Sequence, residues 1–335
     1  MADVLGARTN TGLPVVDDAE PALSVRPVRL GQRGVRHRLR AGLADRGLEH
    51  VAHGPHEHGV GVAHLQRRID VRGADAEPRP LPIPPLYEGT LDGDVRRFEL
   101  TAQEGEAEIV PGTMTKTWGF NGPFLGPTLY MRRGEKIEMT VNNEVPEPTV
   151  VHWHGVHLPA TADGGPALMF DTGESWSPSW TVDQPAATCW YHPHPHEKSA
   201  VHAYRGLAGG IVLDDDSAFP GLPNDYGVDD IPVILTNANF TEDGQLDEEN
   251  GWVGSTVMVN GMTKPRFEAT TRRVRLRVLN GATMRFHHLS LGVPFHIVAT
   301  DQGLLDAPVE VDGVLLSPGE RVEIVVDLKP GKDLK

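Results

Sequence analysis

From Leu81 onward the sequence consists of short runs in which polar and apolar residues alternate, with glycine and proline between them. The runs fall at 97–101, 128–131, 135–141, 149–154, 178–182, 188–192 and 207–213. Alternation with a period of two is typical of half-buried strands, and many short strands separated by turn residues predict a sandwich or barrel. Few stretches show a sustained helical period. We therefore predict an all-β fold.

Two stretches of the chain resemble each other. Residues 127–143 match residues 265–281, and both have the form strand, basic turn, strand, asparagine-containing turn. An offset of this size corresponds to a whole domain rather than to a solenoid repeat. We predict two related β-sandwiches, at 81–216 and 217–335, and expect the second to lack its last strands because the chain ends soon after the run 321–328.

Residues 1–80 differ in composition from the rest of the chain. They contain 12 Arg but no Lys, Phe, Trp or Tyr. A segment with so little apolar surface to bury is predicted to be disordered. Two alternatives remain open. The segment is a mis-assigned leader, of the kind that a misplaced start or a wrong reading frame would give, or its histidines form a metal-collecting tract. The histidines of that tract are His53, His56, His58 and His64.

Charge and cysteine content exclude several classes of protein. The chain has 46 acidic residues against 31 Lys and Arg, and a field of that sign repels phosphate backbones, so we expect no nucleic acid partner. No apolar run approaches the roughly 20 residues that span a bilayer. Cys189 is the only cysteine, which excludes a disulfide framework. The pair Arg67-Arg68 is followed by Ile-Asp-Val-Arg rather than by an apolar stretch, so we recognise no export signal and leave the compartment open.

Two histidine clusters carry the chemistry. One is Val151-His152-Trp153-His154-Gly155, and the other runs from Trp190 through His192 and His194. In a strand, residues i and i+2 project from the same face, so each His-x-His presents two imidazoles side by side. If the two strands face one another, four imidazoles converge. Neutral imidazole binds copper, zinc, iron and nickel, so spacing alone does not choose the metal.

A histidine can also have a packing or surface role without binding a metal. A single histidine on a strand is more often a packed or surface residue than a ligand, but two His-x-His pairs, each beside a tryptophan, are hard to explain in that way. We interpret the histidines without such spacing as packing or surface residues; these are His157, His196, His202, His287, His288 and His296. A zinc hydrolase would need a carboxylate as third ligand near the histidines, and this sequence has none in a recognised spacing.

These motifs resemble a known family. His152-Trp153-His154-Gly155 and Trp190-Tyr191-His192-Pro193-His194 are similar to the first two of the four copper-binding motifs of multicopper oxidases, closest to the bacterial cuprous-oxidase, bilirubin-oxidase-like and laccase branch. Supporting stretches include 117–122, 163–166 and 319–321. The resemblance covers about 81–330 and implies tandem cupredoxin-like Greek-key β-sandwiches.

The resemblance also implies a cofactor and roles for single residues. In the family, a trinuclear cluster holds one type 2 copper and a type 3 pair. On that pattern His152 binds the type 2 copper, while His154, His192 and His194 bind the type 3 pair. Asp163 falls where the family has an acidic residue that assists proton delivery during dioxygen reduction. The alternative for Asp163 is a turn-forming residue before two glycines.

The sequence departs from the family pattern in one respect. No His-Cys-His triplet and no His-x-x-His-x-His occur in it, so it holds half of the expected trinuclear ligands and no type 1 copper site. We interpret Cys189, which lies within the second motif, as a buried small residue. We expect the chain to be the N-terminal two-domain portion, or a fragment, of such an oxidase. Assembly with another cupredoxin domain is an alternative source of the missing ligands.

The function that the resemblance implies is the one-electron oxidation of a small reductant, phenolic or cuprous ion, coupled to reduction of dioxygen to water. Proteins of the family are typically periplasmic or secreted. The alternative is a non-catalytic copper-binding or structural cupredoxin-like protein. Family members that serve as copper-free scaffolds lose the ligand histidines, whereas all four are present here.

Overall fold

The computed structural model of the chain describes residues 78–215, 221–249 and 252–329, together with residues 331 and 334. The predicted disordered leader, residues 1–80, lies outside the described residues except for 78–80, and its histidine tract lies wholly outside them. Within the described part of the chain, no helix has the length and apolar character needed to cross a lipid bilayer.

Strands dominate residues 86–214. They are β1 Leu86–Tyr87, β2 Thr90–Asp92, β3 Val95–Ala107, β4 Thr115–Phe120, β5 Thr128–Arg132, β6 Lys136–Asn143, β7 Val151–His154, β8 Ser175–Trp176, β9 Ser179–Thr181, β10 Ala187–Pro193 and β11 Gly209–Asp214. A short 3-10 turn, Pro166–Leu168, and one helix, α1 Ser199–Arg205, interrupt the strands.

These strands form two sheets around one core. The first sheet has the order β1-β5-β11-β10-β7, and the second has the order β2-β3-β6-β8, with β4 paired to β3 and β9 to β6. In β6, Ile137, Met139 and Val141 point into the core while their neighbours are more exposed, as the alternating sequence predicts. Leu129 and Trp153 of the other sheet belong to the same buried cluster. The two sheets therefore form a sandwich.

A further set of strands follows in residues 230–327. They are β12 Asp230–Ala238, β13 Thr256–Val259, β14 Arg273–Asn280, β15 His287–Leu289, β16 Phe295–Thr300, β17 Gly303–Val311, β18 Val314–Leu316 and β19 Arg321–Asp327. One sheet has the order β13-β12-β14-β19-β16-β17, and β15 pairs with β18. Val278, Phe295, Leu316 and Ile324 are central to a second core.

The predicted repeat has a counterpart in these sheets. β6 and β14 lie at the same positions of the two matched stretches, and each pairs in parallel with an earlier strand of its own part, β3 or β12. The all-β prediction is confirmed. Helix α1 was not predicted, because seven residues are too few to show a helical period. We keep the domain division at 81–216 and 217–335 as a proposal, and the separate sheets of the two parts support it.

Candidate metal centre

The two histidine motifs lie on neighbouring antiparallel strands. β7 pairs with β10 in a register that sets His152 directly opposite His192 and His154 opposite Trp190. The backbone N–H of His194 donates to the carbonyl of Val150 at 2.9 Å, which continues the pairing beyond the end of β10. Since opposite residues of an antiparallel pair project from the same face, the register brings both His-x-His pairs to one face.

The four imidazoles converge on that face. The ring centroid of His152 is 5.4 Å from those of His154 and His192 and 5.7 Å from that of His194. One ligand atom from each of His152, His154 and His192 lies within 4.8 Å of the others. The rings of His192 and His194 are 6.0 Å apart. The residues predicted as ligands are therefore close enough to share a metal cluster.

Hydrogen bonds from the protein fix the orientation of two of the rings. Nδ1 of His152 lies 2.9 Å from Oδ1 of Asp163 and 3.0 Å from the carbonyl oxygen of Asp163. Because both of these atoms are acceptors, Nδ1 carries the proton and Nε2 is the free nitrogen. Nδ1 of His192 likewise donates to the carbonyl of Pro193 at 3.0 Å. A second partner that fixes the tautomer in this way is the usual support of a metal-binding histidine.

The other two rings have no hydrogen bond from Nδ1 to a carbonyl or carboxylate oxygen among the described residues. Nδ1 of His154 lies 3.4 Å from Nε2 of His192, so these two nitrogens face each other. Nδ1 of His194 is buried and has no hydrogen-bond partner among the described residues. An unpaired buried nitrogen costs about 1–3 kcal/mol. A metal ion is a partner that would offset this cost, and the donor set fits one.

Burial keeps two of the rings, those of His154 and His192, in the neutral form that binds metal. It lowers the pKa of His192 to about 3. It also lowers the pKa of His154 to about 4, with a further contribution from the guanidinium of Arg321. Neutral imidazole is the metal-binding form, and imidazole suits copper, zinc, iron and nickel rather than magnesium or calcium. The site is therefore suited to a transition metal.

A glycine allows Asp163 to approach β7 closely. Gly164 has a φ of +73°, and a Cβ atom at this position would lie 1.8 Å from the carbonyl oxygen of Val151. Only glycine tolerates both the conformation and the contact. The side chain of Asp163 is 41% exposed while its carboxylate contacts His152. Asp163 thus connects solvent with the histidine cluster.

Residues of the C-terminal strands and loops contact the first histidine motif. A Cβ atom on Gly319 would lie 3.3 Å from Cε1 of His154. A Cβ atom on Gly155, which has a φ of +89°, would lie 2.5 Å from a guanidinium nitrogen of Arg321 and 3.1 Å from Sγ of Cys189. The first histidine motif is therefore in van der Waals contact with the loop and strand around Arg321.

Among the residues that the structure describes, the other histidines are not part of the cluster. His157 and His196 are exposed, as expected for surface residues. His202 is fully buried, where its Nδ1 lies 3.3 Å from the hydroxyl of Thr149 and its Nε2 lies 3.5 Å from a carboxylate oxygen of Glu147. Burial lowers the pKa of His202 to about 4. This residue packs against the sandwich away from the cluster.

The predicted nature of Cys189 is confirmed, since it is fully buried, and burial raises the pKa of its thiol to about 11. Sequence reasoning missed the structural role of two residues: Thr188, whose hydroxyl bonds to Glu323, and Arg321, which donates to the carbonyl of Thr188. Arg321 stands in one of the supporting stretches of the family resemblance, which is a signal that could have found it. Thr188 stands in another such stretch, 182–190, but its partners are distant in sequence and leave no local pattern that reveals its role.

Comparison with known proteins identifies relatives of the chain. The family model described as multicopper oxidase matches residues 101–218. The cell division protein FtsP of Xenorhabdus nematophila is 41% identical over 265 residues, which cover 77% of this chain and 55% of the relative. The multicopper oxidase mco of Staphylococcus epidermidis is 35% identical over 260 residues, which cover 76% of this chain and 58% of the relative.

Solved structures agree with this similarity. The crystal structure of a laccase from Pediococcus acidilactici matches with a TM-score of 0.72 and 34% identity, and the match covers 77% of this chain and 59% of the laccase. The chain thus spans a little over half the length of the relatives it matches. The similarity supports the cupredoxin-like fold predicted for its sandwiches.

Proposed function

The chain belongs to the multicopper oxidase family, and from this premise we propose that it is the copper-binding part of an oxidoreductase. The reaction would couple the one-electron oxidation of a phenolic substrate or cuprous ion to the reduction of dioxygen to water. The observation that supports the proposal best is the convergence of four histidine rings, one of which has a buried nitrogen without a protein partner.

The proposed ligands are His152, His154, His192 and His194. Copper bound there would supply the one-electron redox chemistry and the dioxygen reduction that the family performs. The protein holds His154 and His192 neutral by burial, and it orients His152 and His192 through hydrogen bonds at Nδ1. Because four histidines are half of the family's trinuclear ligand set, we propose that another cupredoxin domain provides the rest.

Asp163 has two functions in this proposal. Its carboxylate accepts a hydrogen bond from Nδ1 of His152 and so orients that ring. Because the same carboxylate is partly exposed to solvent, it is also in a position to carry protons between solvent and the site. Dioxygen reduction to water consumes protons, which is the reason for assigning a proton carrier here.

Copper binding to the full chain tests the ligand assignment. The purified chain would be loaded with a copper(II) salt, desalted, and analysed for bound copper by mass spectrometry and electron paramagnetic resonance (EPR). We expect stoichiometric copper in the wild type and its loss in His152→Ala and His192→Ala. His157→Ala is the matched control, because His157 is exposed and close in sequence to the cluster. Copper that persists in both ligand variants would contradict the assignment.

Turnover is tested separately. Oxygen consumption would be measured with catechol and with cuprous ion, using the copper-loaded chain and the same chain mixed with a separately produced cupredoxin domain that carries a His-Cys-His motif. Consumption that depends on His192 supports the oxidase proposal. A copper-loaded chain that consumes no oxygen in either setting would contradict it.

A second candidate function is a binding protein without turnover. It is favoured by a specific observation, the 41% identity to a relative named cell division protein FtsP. A copper-free version of this candidate predicts no stoichiometric copper in the purified chain and no effect of His152→Ala. The metal analysis described above therefore separates the two candidates.

A further inference from the structure

Thr188 lies on the same face of β10 as the proposed ligands. Residues 188, 190, 192 and 194 alternate along the strand and its extension, so their side chains project to one side. At about 3.3 Å per residue, Thr188 is roughly 13 Å from His192 along the chain. The hydroxyl of Thr188 is buried and donates to Oε1 of Glu323 at 2.5 Å. A guanidinium nitrogen of Arg277 donates to the same hydroxyl at 3.0 Å.

The partners of Thr188 belong to a group of buried charges that we call the ion network: Asp230, Arg275, Arg277 and Glu323. Nε and one terminal nitrogen of Arg277 donate to the carboxylate of Asp230 at 2.8 Å. Another nitrogen of Arg277 donates to Glu323 at 3.1 Å. Nε of Arg275 donates to Glu323 at 2.9 Å. Each of the four side chains is at most 8% exposed.

Two members of the ion network, Glu323 and Arg277, keep their charge in spite of burial. Burial opposes ionisation of Glu323, but Arg277 and Arg275 outweigh it and hold the pKa of Glu323 below its ordinary value. Burial likewise opposes the charge on Arg277, whereas Glu323 and Asp230 raise its pKa. Buried ion pairs of this kind contribute less to stability than to fixing one arrangement, because desolvation offsets their attraction.

A second contact holds the backbone of the same residue. Nε of Arg321 donates to the carbonyl oxygen of Thr188 at 3.1 Å, and a terminal nitrogen donates to the carbonyl of Asp301 at 2.8 Å. Arg321 also lies against Gly155 of the first histidine motif. The C-terminal sheets therefore hold both the side chain and the carbonyl of Thr188, and they contact both motifs.

We propose that Thr188 is a positioning residue, through which the ion network and Arg321 hold β10 where His192 and His194 face the histidines of β7. The proposal rests on the proposed function, because it explains how the ligand strand is held. Without the hydroxyl, β10 would keep its neighbours in the sheet and the bond from Arg321 to its backbone, but it would lose its bonds to Arg277 of β14 and Glu323 of β19.

Three variants test the proposal. Thr188→Val removes the hydroxyl with little change of shape, and Thr188→Ser restores it. Thr117→Val is the matched control, since Thr117 is also a buried strand residue whose hydroxyl donates to a carbonyl, that of Pro123 at 2.6 Å, away from the ion network. Each variant would be made in the full chain and its unfolding followed in urea, so that general destabilisation is known.

Copper binding gives the first measurement. We expect Thr188→Val to lower copper(II) affinity about tenfold, the lower end of the effect of removing a supporting partner of a metal ligand, and to change the EPR hyperfine splitting. Thr188→Ser should restore both, and Thr117→Val should change neither, even when it is destabilised equally. A wild-type affinity and spectrum in Thr188→Val would overturn the proposal while leaving the proposed function intact.

Hydrogen exchange of the copper-free chain gives the second measurement, which does not depend on metal. Amide exchange in residues 187–192 should become at least about tenfold faster in Thr188→Val, since two hydrogen bonds to charged partners are lost, and should return to wild type in Thr188→Ser. If the wild type binds no copper, the proposed function fails and exchange alone decides the positioning. Unchanged exchange in Thr188→Val would overturn it.

Discussion

Two groups of buried polar side chains lie along one face of β10, and they differ in how their polar atoms are paired. In the ion network, each carboxylate meets guanidinium donors from β14, and the hydroxyl of Thr188 is shared between two partners. In the histidine cluster, His194 has a buried nitrogen without a hydrogen-bond partner among the described residues, and so does the neighbouring Trp190. The first group is complete within the protein, whereas the second is suited to receive a ligand.

The largest expected effect concerns the complete group. Glu323→Ala would leave the guanidinium groups of Arg275 and Arg277 buried without their shared carboxylate. We expect the free energy of unfolding to fall by about 3–5 kcal/mol, as when one partner of a buried pair is removed. Urea denaturation measures the change. A loss below 1 kcal/mol would contradict the assignment of Glu323 as the buried partner of both arginines.

Protonation of Glu323 is a milder version of the same change. The folded pKa of Glu323 is lowered, so its stabilising contribution is present above the unfolded pKa of about 4.5 and is lost as the pH falls through the folded pKa. The free energy of unfolding should therefore decrease more steeply below pH 4.5 in the wild type than in Glu323→Gln. Denaturation at several pH values gives both curves, and parallel curves would contradict the prediction.

The incomplete group should respond in the opposite way. His194→Leu removes a buried unpaired nitrogen, so the copper-free chain should be as stable as the wild type or more stable by about 1–3 kcal/mol. The copper affinity of the same variant should fall by more than roughly 10–100-fold, which is the typical loss when a residue that only supports a metal ligand is removed. Calorimetry with and without copper measures both. A marked loss of copper-free stability would show that His194 serves packing instead.

Asp163 is intermediate between the ion network and the histidine cluster, because its carboxylate is paired with His152 yet partly exposed to solvent. Asp163→Ala leaves Nδ1 of His152 with only the backbone carbonyl of Asp163 as partner. This should lower copper affinity by up to about tenfold, with little change in stability. Asp163→Asn keeps an acceptor oxygen and should retain affinity, but it cannot carry a proton. Titration with copper(II) distinguishes the variants, and equal affinity loss in both would argue against an orienting hydrogen bond.

The smallest effect is expected at an exposed ion pair on the same two strands as the ion network. Arg273 of β14 and Asp327 of β19 are cross-strand partners whose side chains are 56% and 63% exposed. Exposed pairs contribute about 0–1 kcal/mol. Asp327→Asn should therefore change the urea midpoint only slightly, which makes it the matched control for Glu323→Ala. A comparable loss in both would remove the distinction that burial makes.

Much of the fold could be predicted from the sequence, because strand periodicity is local. The predicted runs 128–131, 135–141 and 188–192 correspond to β5, β6 and β10 within a residue or two. The two His-x-His pairs could be predicted for the same reason, since spacing within a strand fixes the face. Their convergence required only that β7 and β10 be neighbours, and the structure places them so.

The ion network could not be predicted in this way. Arg273, Arg275 and Arg277 alternate with apolar residues, a pattern typical of a solvated face, yet Arg275 and Arg277 are buried while Arg273 is exposed. Which arginines are buried depends on Asp230 and Glu323, each about 46 to 48 residues away in the chain. Pairing at such distances is a property of the tertiary structure and leaves no local pattern.

The bond between Thr188 and Glu323 also sets an order of events during synthesis. Its two residues are 135 positions apart, and ribosomes add about 5–20 residues per second. The strand that carries His192 is therefore made roughly 7–27 s before the carboxylate that anchors it. During that interval the nascent chain contains the ligand histidines without the bond that anchors their strand, and this bond can form only once β19 has been synthesised.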